Sequence, residues 1–129
     1  MKNDISDINA IRSLVDSFYD KVRKDTLLAP IFNNVIGEKW PEHLAKMYRF
    51  WQTVLLDQHT YEGSPFVPHS RLPISGEHFE RWLHLFRETV DELFEGEKAI
   101  RAKWQGERMA EMFLSKLRYY KENPAIPIL

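Results

Sequence analysis

Five histidines, at positions 43, 59, 69, 78 and 84, are the strongest candidates for metal chemistry in this 129-residue chain, because it contains no cysteine. Without thiols there is no disulfide framework, no thiolate zinc site, no iron–sulfur cluster and no cofactor attached covalently through a C-x-x-C-H motif. Spacing narrows the field further. A carboxylate-bridged di-iron bundle needs Glu-x-x-His on facing helices, yet Trp40, Leu56, Phe66, Ser75 and Arg81 stand three residues before the five histidines. The H-E-x-x-H pattern of helical zinc proteases is also missing. His84 and Glu88, one turn apart, read as easily as an exposed helix pair.

A haem asks less of a sequence: one axial imidazole, an apolar slot, and a few polar groups on the opposite side. His69 follows Phe66-Val67-Pro68, a proline-limited stretch that can present a side chain from a stiff support. His43 shares a helix face with Met47, Phe50 and Trp51, and Tyr19 ends an apolar stripe. Each residue also has a plainer reading. His69 reads as a solvated loop histidine, and His43 as a boundary histidine bonded to a backbone carbonyl. Tyr19, Trp82 and Phe32 read as core aromatics. On local grounds both sets of readings stand.

These residues must be positioned by helices. Ile8, Ile11, Val15, Phe18, Tyr19 and Val22 recur at intervals of three and four, which predicts a helix from about Ser6 to Lys24. Asp25 to Pro30 interrupts the pattern, Ile31-Phe32 suits a short helical turn, and Gly37 closes the connection. A second long helix starts near Trp40, with Pro41 in its first turn and His43, Met47, Phe50, Trp51 and Val54 on one face. Gln58 to Gly76 contains three prolines and two glycines, too many breakers for a long helix, and His69 lies within it. Phe79, Trp82, Leu83, Phe86, Val90 and Leu93 predict a helix over Glu77 to Phe94. A last helix runs from beyond Gly96 to about Glu122, with Met109, Met112, Phe113, Leu117 and Tyr120 inward. The expectation is one all-α domain over 1–129, with irregular tails at 1–5 and 124–129.

The 18 basic and 19 acidic residues are interspersed, so no block provides the footprint of a nucleic-acid binder. The N-terminus does not read as a signal peptide, and no apolar run approaches the roughly 18 residues of a membrane span. A soluble, cytoplasmic protein is the expectation, with neither nucleic acid nor membrane as partner.

Taken in order, several landmarks together resemble the truncated haemoglobins, and specifically their third group. They are Phe18-Tyr19-x-x-Val22, Asp25-x-x-Leu28-x-Pro30-Ile31-Phe32, His43, Phe50-Trp51, His69 in a proline-rich loop, Phe79-x-x-Trp82-x-x-Leu85-Phe86, and a Met-rich last helix. The paired glycines of the first group are absent, since Gly37, Gly63, Gly76, Gly96 and Gly106 are all isolated. The resemblance covers nearly the whole chain. It implies a globin-like two-on-two helical sandwich around haem b, with His69 as proximal iron ligand. It also implies Tyr19, His43 and Trp82 as distal residues facing a diatomic ligand, with His43 available as a sixth ligand. Phe32, His43, Met47, Phe50, Trp51, Leu72, Phe79 and Trp82 are the residues it assigns to the cofactor pocket.

The function this implies is reversible binding of O2, NO or CO, with oxygen transport or NO dioxygenation as candidate roles and a reductase as candidate partner. Two other readings stay open at this level. One is a peroxidase-like haem enzyme, and the other is a haem-free helical interaction domain whose aromatic stripes form only core and a partner surface.

Overall fold

The computed structural model describes residues 2–59 and 75–122, with the backbone alone at 117 and 120–122. Helix α1 runs Ile8–Lys24 and begins where Asp7 can cap it, the Asp7 carboxylate accepting from the Ala10 N–H at 2.9 Å. It starts two residues later than the periodicity suggests, because the cap takes the place of the first turn. Lys21, Arg23 and Lys24 occupy its last turn, where positive charge meets the negative end of the helix dipole. Its buried face is Ile11, Leu14, Val15, Phe18, Tyr19 and Val22.

Asp25 ends α1 and organises the corner beyond it. Its carboxylate accepts from the backbone N–H groups of Leu27 and Leu28 at 3.1 and 3.0 Å. The short turn expected at Ile31-Phe32 is a full helix, α2 (Ala29–Ile36), with Pro30 in its first turn and Phe32 as its buried residue. Gly37, at φ +55°, breaks α2 and opens a 3-10 turn, Gly37–Lys39. Helix α3 (Trp40–Leu56) comes directly after it. Helix α4 (Gly76–Leu93) is capped by Ser75 and His78, whose Nδ1 accepts the Ser75 N–H at 3.0 Å. Helix α5 spans Glu97–Glu122.

The helices pack as two pairs, α1 against α3 and α4 against α5, joined where α1 crosses α4. Aromatic rings fill that crossing. Phe86 lies flat between Trp51 and Trp82, at centroid distances of 5.0 and 5.4 Å, and meets the edge of Phe18 at 5.2 Å. Helix α5 comes close beneath at Gly106, where a Cβ would stand 3.0 Å from Phe86 Cδ2. On α5 the core face carries Ala99, Ala102, Met109 and Phe113, all buried, whereas Met112 is exposed. That corrects the expectation for Met112: with Met109, Ala110 and Phe113 all buried, the core face is centred between Met109 and Ala110, and Met112 lies about 100° round the helix from that centre. The expected inward positions of Leu117 and Tyr120 lie outside the described side chains.

The first residues belong to no helix, yet they are anchored. Ile5 is fully buried, and Asn3 pairs with Phe94 in an isolated bridge. Asp4 caps α5 from the far end of the sequence, accepting from the Lys98 and Ala99 N–H groups at 3.0 and 2.9 Å. Burial pushes the Asp4 pKa up, but the bonds from Lys98, Ile5 and Ala99 outweigh it and hold it below the ordinary value. The cap needs Gly96. At φ +130° that residue would place a Cβ 2.6 Å from Asp4 Cγ. Gly96→Ala is therefore expected to lose about 2–4 kcal/mol, from backbone strain and the displaced cap together, seen as a lower urea midpoint.

Candidate cofactor pocket

Adjacent residues of α1 look in two directions. Phe18 packs inward against Trp82 at 5.3 Å and Phe86. Tyr19 turns toward the start of α3 and α2, meeting His43 edge-on at 5.0 Å, Trp40 at 5.8 Å and Phe32 at 6.4 Å. Of the expected distal residues, Tyr19 and His43 are thus in ring contact, and Trp82 is one ring away through Phe18.

Trp40 forms the back wall of this cluster. Its ring edge meets His43 at 5.7 Å, its indole N–H donates to Asn33 Oδ1 at 3.2 Å, and the Arg23 guanidinium lies 4.7 Å over its face. Sequence reasoning does not single out Trp40, although its place three residues before His43 puts both on one face of α3. Met47, one turn beyond His43, is half-buried. Phe50 and Phe79 are buried, with Phe79 meeting Phe113 of α5 at 6.5 Å. Trp51, expected in the cofactor pocket, lies in the core stack on Phe86. His69 and Leu72 lie outside the described residues.

The donor chemistry of the cluster can be tested against a haem pocket. Burial pushes the Tyr19 phenol well above its usual range, so the group is neutral and carries a proton to donate. Among the described residues neither the Tyr19 hydroxyl nor the Trp82 indole N–H makes a hydrogen bond. The tyrosine hydroxyl, set among aromatic rings, fits a position held for an acceptor that arrives as a ligand. The residues present therefore fit the group.

One polar link fixes the entry of α4 against the corner after α1. Arg81, next to Trp82, donates to Asp25 Oδ1 at 2.7 Å, and the Asp25 side chain is only 8% exposed. Burial raises the Asp25 pKa, but bonds from Leu28, Arg81 and Leu27 overcome this and leave it below the ordinary value. A carboxylate depressed in the folded state stabilises above its unfolded pKa of about 3.9, and the contribution is lost as pH falls through the folded pKa. Asp25→Asn is expected to cost about 1–3 kcal/mol at pH 7. In urea titrations at a series of pH values, the gap to wild type should shrink below about pH 4.

Four main helices in two crossed pairs, with a tyrosine, a histidine and a tryptophan collected near the crossing, define a protein of the truncated-globin class. The family model described as bacterial-like globin matches residues 3–114, and the chain belongs to that family. It is similar to a group 3 truncated hemoglobin of Campylobacter jejuni, with 39% identity over 124 residues that cover 93% of this chain and 98% of that protein. The crystal structure of a group III truncated hemoglobin from Campylobacter jejuni matches with a TM-score of 0.83 at 39% identity, covering 91% of this chain and 95% of that one. The likeness to the third group read from the sequence landmarks is thereby shown, as is the all-helical truncated-globin fold. Family membership implies a haem-binding protein that takes small diatomic ligands. No described helix is long and apolar enough to cross a membrane.

Proposed function

We propose that the chain binds haem b through His69 and uses the opposite face, lined by Tyr19, His43 and Trp82, for reversible binding of O2, NO or CO. When bound, haem would supply an iron able to take a diatomic ligand, together with that iron's redox chemistry. The protein supplies the electrostatics. The Tyr19 phenol and the Trp82 indole can each donate to a ligand that acquires negative charge, and apolar walls at Phe32, Phe50 and Phe79 reduce competition from water. His43, edge-on to Tyr19 and Trp40, closes the polar side. The observation that carries this reading is the pair of donors, Tyr19 and Trp82, that no described residue engages.

The test is the oxygen dissociation rate of the haem-loaded protein. Tyr19→Phe and Trp82→Phe keep ring and volume or bulk while removing one donor. A charge-assisted hydrogen bond is worth about 1.5–3 kcal/mol, so each variant is expected to release oxygen roughly ten to a hundred times faster. Unchanged rates in both variants would overturn the distal assignment. In the cell we assign the protein to the cytoplasm, with a reductase to return the iron to its ferrous state. Its role there is oxygen transport or oxidation of NO.

A further inference from the structure

Helix α5 carries a second apolar stripe that the haem reading does not use. Opposite its buried face, Ile100 is 65% exposed, Trp104 54% and Met112 44%. Trp104, Arg108, Glu111, Met112 and Ser115 border a groove of about 430 Å³ along this outer face. Such a row of large exposed apolar groups on one helix is unusual for a surface that stays bare. Its charges are arranged to match themselves. Arg108, whose guanidinium lies 5.4 Å from its own Trp104 ring, and Glu111 sit at equal distances from the midpoint between Met109 and Ala110. Trp104 and Ser115 are symmetric about the same point.

We infer that this face binds a second copy of the chain, with the two α5 helices antiparallel about a two-fold axis through the midpoint between Met109 and Ala110. A single register then satisfies every pairing twice, as an isologous interface requires. Arg108 of each copy faces Glu111 of the other. Each Trp104 covers the small Ser115 of the other copy, a large group over a small one, and Met112 packs along the aliphatic stem of the opposing Arg108. The interface lies on the side of α5 away from the α4 contact, so it leaves the Tyr19, His43 and Trp82 cluster untouched.

The register is tested by charge exchange in the haem-loaded, full-length protein, followed by sedimentation velocity over a range of concentrations. Wild type is expected to double in mass as concentration rises. Arg108→Glu alone and Glu111→Arg alone each set like charges opposite one another twice, and both should remain monomeric with unchanged circular dichroism. An equimolar mixture of the two variants restores both attractive pairs, and so should the double variant. A wild type that is monomeric throughout overturns the proposal, as does a dimer indifferent to both exchanges. A full chain that becomes dimeric only after residues 123–129 are removed assigns the face to the chain's own tail and also overturns it.

Discussion

His69→Ala is expected to lower haem affinity more than a hundredfold and to remove the Soret band from the purified protein, with added imidazole restoring it. Changes to mere outer-shell partners of a metal ligand already alter affinity by about 10–100-fold, so loss of the axial group itself must do more. The structure narrows the competing donors. His78 is committed to the cap of α4, where its Nδ1 accepts the Ser75 N–H. His84 is 70% exposed beside Glu88, and His59 is exposed at the end of α3. His43 is held between Tyr19 and Trp40, in the cluster we propose for the diatomic ligand. Alanine at 59, 78 or 84 should therefore leave the absorption spectrum unchanged. Retention of the full band in His69→Ala, with loss in one of the other variants, would reassign the iron ligand.

Phe86→Ala is expected to cost about 3–5 kcal/mol, the range for truncating a buried phenylalanine. The residue is 1% exposed and stands where α4 meets α1, α3 and α5. Its ring is sandwiched between Trp51 and Trp82 and met edge-on by Phe18, and each such aromatic pair adds about 0.5–1.5 kcal/mol beyond area burial. Natural domains are stable by only about 5–15 kcal/mol, so this one change removes a large share. Urea unfolding should show a lower midpoint at unchanged slope. A loss below about 1 kcal/mol would mean that the stack collapses to fill the cavity. Because Phe86 also seats Trp82 and Phe18, ligand kinetics in any folded fraction should shift with stability.

The helices are legible because each writes its own period. The 3-and-4 spacing of Ile11, Val15, Phe18 and Val22, or of Phe79, Trp82, Phe86 and Val90, selects one face, and the structure buries residues of that face in α1 and α4. Helix ends are legible to within a few residues, since caps and breakers act on the nearest turn. Met112 misleads because it stands three residues after Met109, a spacing that suits one face, whereas the burial of Ala110 shows the core face turned to the other side of Met109.

The candidate site is legible in a different way. Local sequence leaves His69, His43 and Tyr19 with ordinary readings, and only their order along the whole chain, as family landmarks, suggests that they serve one site. Trp40 escapes notice because nothing local distinguishes a wall tryptophan from a core one. Trp51, which the resemblance assigns to the pocket, also stacks on Phe86 in the core, a contact that its spacing on α3 does not announce.

What the sequence determined by itself was the set of elements and the excluded chemistries: four long helices, no thiolate site, no di-iron or protease spacing, and the landmarks of a truncated globin. What only the tertiary structure decided was who meets whom. Asp4 caps a helix that begins more than ninety residues later, Arg81 reaches Asp25 across the α1–α4 crossing, and Tyr19 finds His43 across two helices. The physical reason is that helical hydrogen bonds close within four residues and leave their mark in the local pattern. Packing between helices is set by shape and by the few polar groups that burial forces into pairs, and those partners leave no mark at any fixed spacing.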